Sequence, residues 1–73
     1  MEPNEIFDLI VKADEALKYA TEEKGEARRR QARGWLMEAK AEAEAAGNAA
    51  LVEQADQRLA DLDRLDSGAS PDA

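Results

Sequence analysis

The chain has no cysteine and no histidine, and in 73 residues it carries only two prolines, four glycines and three aromatic side chains. Without cysteine no disulfide can reinforce the fold. With histidine also missing, the usual general base, the usual nucleophile and the soft metal ligands are all absent. The only serines, Ser67 and Ser70, fall in a small, polar, aperiodic segment that offers nothing to orient them. Catalysis is therefore not expected, and neither is a cofactor or a metal. Asp61, Asp63 and Asp66 invite comparison with a calcium loop. Counting from Asp61, however, Leu65, Asp66 and Asp72 occupy positions where an EF-hand needs an oxygen ligand, a glycine and a bidentate glutamate.

Long apolar runs are missing as well. The longest near the start is Leu9-Ile10-Val11, preceded by acids, so neither a secretory leader nor a membrane span is expected. The expected setting is cytoplasmic. The apolar fraction of 44% overstates the core, because 16 of those residues are alanine and Leu, Ile, Val and Phe together number 12. Chains this small commonly need a staple or a partner, and a partner subunit is the reinforcement this composition leaves open.

What is present is helical periodicity. Ile6, Ile10, Ala13, Leu17 and Ala20 recur at spacings of three and four, with Leu9 and Ala16 widening the stripe. Asn4 is the expected N-cap, and Gly25 the expected left-handed residue that ends this helix. A second run places Ala32, Trp35, Leu36, Ala39, Ala43 and Ala46 on one face. Gly47 ends it and Asn48 caps a third, whose inner face is Leu51, Ala55, Leu59, Leu62 and Leu65, with Val52 at its edge. The predicted helices are 5–22, 27–46 and 49–65, forming one domain over 1–66, with 67–73 a disordered tail.

Connections this short make consecutive helices antiparallel neighbours, which gives an all-α, up-down-up three-helix bundle. The alternative is a long helical hairpin that runs through Gly25 and pairs as a coiled-coil homodimer. In the bundle, Trp35 is expected to be largely buried against Ile10, Leu17, Leu59 and Leu62. Gly34 has no evident structural reason. Ala43 with Gly47-Asn48, and Leu59 further on, resembles the helical hairpin of tetratricopeptide repeats. Asp56 and Lys40 depart from that pattern, standing where it has a large apolar and a small residue, so membership does not follow.

Charge alternates along the chain: net −5 over 1–23, +4 over 24–40 and −6 over 41–73, for −7 in all. The basic cluster Arg28-Arg29-Arg30 with Arg33 and Lys40 has two readings. It either pairs with carboxylates of the flanking helices or, around Arg29, Arg33, Met37 and Lys40, forms a binding surface. Phe7 and Val11, one turn apart and off the main stripe, either meet the third helix or form a docking patch. The expected function is a small acidic protein–protein interaction module or regulatory subunit. A nucleic-acid regulator using the Arg28–Arg33 flank is the alternative, disfavoured by the net charge and the absence of any base-stacking aromatic pair. An orphan bundle with no ligand is a third reading. The partner is expected to be another protein, homo-oligomerisation is left open, and a membrane is not expected.

Overall fold

The computed structural model describes residues 1–20 and 24–66, with side chains through Arg64. Three helices follow in order: α1 (Pro3–Lys18), α2 (Gly25–Ala46) and α3 (Ala49–Asp66). Together they form the up-down-up three-helix bundle rather than the long hairpin. α2 is the middle member, packing along both neighbours, while α1 and α3 meet much less. The backbone spans 39 × 22 × 13 Å. Its thinnest dimension exceeds the roughly 5 Å across the Cα cylinder of one helix, so the three helices do not lie in one layer, and the α1–α3 seam is shallow because those two helices meet so little.

The helix ends correct several expectations. α1 begins at Pro3, two residues early, with Glu2 as N-cap and Asn4 inside the first turn. The pyrrolidine ring presets φ, and its missing N–H costs nothing at the first helical position. Glu5 reaches back to accept a hydrogen bond from the Glu2 backbone N–H at 2.8 Å. α1 also stops at Lys18, not near residue 22. Beyond Leu17 and Ala20 the sequence is polar (Thr21-Glu22-Glu23-Lys24), so further turns would bury nothing. Packing of an apolar face is what sustains a short helix.

Gly25 likewise does not close α1 in a left-handed conformation. It is the buried first residue of α2, without positive φ, and a β-carbon there would come within 2.9 Å of Arg29 Nη1. The second break is as expected. Gly47 adopts φ 71°, and the Asn48 and Gly47 N–H groups donate to the Ala43 and Glu44 carbonyls at 2.9 and 3.1 Å, the Schellman pattern. Asn48 then caps α3, its Oδ1 accepting from the Leu51 N–H at 3.2 Å.

The core consists of Ile6, Leu9, Ile10, Ala13 and Ala16 from α1, Ala32, Leu36, Ala39 and Ala43 from α2, and Leu51, Ala55 and Leu62 from α3. Half of these are alanines. On α2 the alanines bring both neighbours close around the one large inward side chain, Leu36, which is fully buried. Leu17, Val52 and Leu59 pack at the margin. Trp35 does too, rather than lying largely buried, and Ala46 is exposed. The core expectation for Leu65 and the tail at 67–73 lie outside the described residues.

Candidate protein-interaction surfaces

The six residues marked by the sequence fall on two separate surfaces. Arg33, Met37 and Lys40 share the seam between α2 and α3. There Arg33 Nη1 and Lys40 Nζ each lie 2.8 Å from a carboxylate oxygen, of Asp63 and Asp56 respectively. Both pairs obey the same antiparallel register, seven residues apart on each helix, which sets Met37 level with Leu59. Hydrogen bonding and attraction to Asp56 raise the Lys40 pKa above its ordinary 10.5. Arg29, half-buried, is also engaged, and Arg30 pairs with Glu26 at 3.8 Å. The flank that could have bound a partner thus spends two of its cations on α3. These pairs are partly exposed, so solvent competes with them and each contributes little stability, but they fix the register of α3 on α2. Met37 rides over them, 58% exposed.

Phe7 and Val11 lie on the other side, on the flank of α1 turned toward the shallow seam with α3. α3 does not cover them: Phe7 is 44% exposed and Val11 half-buried. A buried phenyl ring is worth about 1.5–3 kcal/mol relative to an exposed one, and here much of that is not collected. One turn further along, Asp14 holds Arg58 of α3 across the seam, with Nε 2.9 and 3.1 Å from its two carboxylate oxygens. Arg58 also donates from Nη1 to the Gln54 carbonyl at 3.1 Å. The seam is therefore bridged by charge but left open in apolar contact.

Sequence reasoning did not isolate a third surface. Lys12, Ala16 and Tyr19 of α1 and Arg28 and Trp35 of α2 line an open groove of about 310 Å³, with Glu15 at its edge. Tyr19 is 63% exposed, and the Lys18 ammonium sits 5.7 Å from its ring centroid. The signal is present in the sequence, since Lys12, Ala16 and Tyr19 sit three to four residues apart, but the position of Trp35 on the inner stripe of α2 points to the core instead.

Among the described residues no group of three or more His, Cys, Asp or Glu side chains could hold a metal ion. No described helix is long and apolar enough to cross a membrane. No buried side-chain nitrogen or oxygen in the described residues lacks a hydrogen-bond partner. The surfaces can offer shape, apolar contact and charge, which are the means of macromolecular recognition. Comparison with protein-family models, curated proteins and solved structures finds no match to the chain.

Proposed function

We propose that the chain is a non-catalytic protein-interaction module that receives an amphipathic, basic helix of another protein along the α1–α3 seam. The observation that carries this is the uncovered pair Phe7 and Val11 beside a seam that α1 and α3 leave shallow. A fourth helix laid there would bury both side chains and complete a four-helix cross-section, the helix-in-groove mode of recognition. The charge of the partner follows from that of the chain. Asp14 beside the patch and Asp61 on α3 are already paired, with Arg58 and Arg64, so the preference rests on the −7 of the whole chain. A field of that sign steers cations and repels nucleic acid. The commitment of Arg33 and Lys40 to Asp63 and Asp56 further weakens the nucleic-acid alternative.

The test is a fluorescence-anisotropy titration of a synthetic amphipathic Leu/Lys helix with the intact protein. Saturable binding is expected, weakened roughly tenfold, or ~1.4 kcal/mol, by Phe7→Ser and left unchanged by Met37→Ser. Equal binding by all three proteins would mean that the peptide reads only net charge, and the assignment of the seam would fail.

A further inference from the structure

A second surface carries an inference beyond that reading and independent of it. Along the outer side of α2, next to α1, Lys24 at its N-cap and Arg28, Gln31, Trp35, Glu38 and Glu42 within it follow one another at spacings of four, three, four, three and four. The mean spacing is that of an undistorted helix, so all six lie on one line. Their charges run +, +, neutral, aromatic, −, −. The order is antisymmetric about position 33. If the helix is turned end for end onto a copy of itself, Lys24 meets Glu42, Arg28 meets Glu38 and Gln31 meets Trp35, each pairing made twice.

Three further observations support this. First, α2 carries most of its charges against its own macrodipole: although Glu26 stands in its first turn, Arg28, Arg29 and Arg30 follow near its start, and its last turn contains no basic residue. Cations at a helix N-terminus and acids at its C-terminus are each disfavoured by the partial charges of the unpaired backbone groups there. An antiparallel copy of α2 reverses both terms, because each cationic start then faces an acidic end. Second, neither the Arg28 guanidinium nor the Glu38 carboxylate takes part in an ion pair or hydrogen bond among the described residues, and both residues are exposed, whereas Lys24 is already engaged within the chain. Glu42 lies 3.9 Å from the amino-terminal nitrogen, a weak contact. Third, Trp35 sits half-buried near the middle of the line, where a flat, amphipathic anchor is most effective.

α1 follows the same polarity on this face. Lys12 lies in the groove beside Arg28 and Trp35, with Asp8 and Glu5 one and two turns further toward the acidic end. Glu15 is the exception. We infer that the α1–α2 face is a self-association surface, on which a second copy of this chain docks with its α2 antiparallel to the first.

The net charge of −7 on each copy opposes association. At physiological ionic strength the Debye length is about 8 Å, so repulsion between distant parts of the two bodies is screened. Side chains that meet between axes about 8–10 Å apart interact inside that length. Local complementarity therefore decides, and the expected dissociation constant is modest, on the order of 100 µM.

The test is sedimentation equilibrium of the full chain up to about 1 mM, with circular dichroism confirming that each variant keeps its helicity. The wild type is expected to dimerise. Arg28→Glu alone and Glu38→Arg alone should each weaken the dimer roughly tenfold or more. An equimolar mixture of the two single variants should restore it, because every 28–38 contact across the interface is then between opposite charges. The double variant should restore it for the same reason. Phe7→Ser, on the opposite flank of α1, should leave it unchanged, which separates this surface from the seam. A wild type that stays monomeric to about 1 mM overturns the inference, as does a mixture no more associated than its components.

Discussion

Asp14 of α1 and Arg58 of α3 meet across the open side of the bundle, with the guanidinium Nε within 3.1 Å of both carboxylate oxygens. Helices that share little apolar contact are thereby tied by a charged clamp. Both side chains are partly exposed, 28% for Arg58 and 46% for Asp14, so solvent competes with the pair. A double-mutant cycle with Asp14→Ala and Arg58→Ala should give a coupling of about 0.2–1 kcal/mol. A coupling well above that range would mean that the seam is closed more tightly than the geometry shows.

Gly34 inside α2 and Gly47 at its C-cap should respond in opposite directions. A β-carbon at Gly34 meets nothing within 4 Å, and the site is exposed helix interior, so Gly34→Ala should stabilise by about 0.5–1 kcal/mol. Gly47 also has room for a β-carbon, but its φ of 71° makes Gly47→Ala cost about 1 kcal/mol. Thermal melts should show Tm rising for the first and falling for the second by several degrees. Gly34→Ala that destabilises would reveal a close approach at this face that the monomer does not contain.

Leu36, not Trp35, should be the side chain whose loss unfolds the chain. Leu36 is fully buried and stands alone among alanines on the inner face of α2. Leu36→Ala should cost about 2–5 kcal/mol, a large part of the total stability of so small a domain. Trp35 lies at the margin, so Trp35→Ala should fall below the ~3–5 kcal/mol of a buried tryptophan, cost less than Leu36→Ala, and leave a folded protein in urea-free buffer. Equilibrium denaturation of the two variants decides the order. The single indole should emit at an intermediate wavelength and remain accessible to quencher in dilute solution.

The Lys40–Asp56 pair should respond to alkali. Asp56 raises the Lys40 pKa above 10.5, so the fold favours the charged amine. Its contribution is complete below the ordinary value and is lost as pH rises through the higher folded-state value. The difference in stability between wild type and Lys40→Met should therefore stay constant through neutral and mildly alkaline pH. It should shrink once pH passes about 10.5. A difference that shrinks below that pH would point to another group.

Much of the architecture was legible because period and punctuation agreed. The α2–α3 turn was readable from Gly47-Asn48 alone, since one residue accepts a left-handed backbone and the next caps a helix. The α1–α2 break was located but misassigned at its edges. A polar stretch ended α1 at Lys18 before Gly25 could close it, and Pro3 took the first helical position ahead of Asn4. Burial was legible where large side chains faced inward in the middle of a stripe, as with Ile6, Ile10, Leu36 and Leu62. It was not legible for Trp35, because α1 presents the small Ala16 and the open Tyr19 side there. Six candidate contact residues divided between two surfaces for a similar reason: sequence spacing orders residues around one helix, whereas only packing shows which flank a neighbour occupies.

The most direct measurement is an amide-shift map of the isotopically labelled protein, at concentrations where it is monomeric, titrated with the synthetic Leu/Lys helix. The expected perturbations run along α1 at Phe7, Val11 and Asp14 and along α3 at Gln54, Arg58 and Asp61. Perturbations confined to Arg29, Arg33, Met37 and Lys40 on the α2–α3 side, or spread evenly over every acidic side chain, would contradict a helix-receiving seam between α1 and α3.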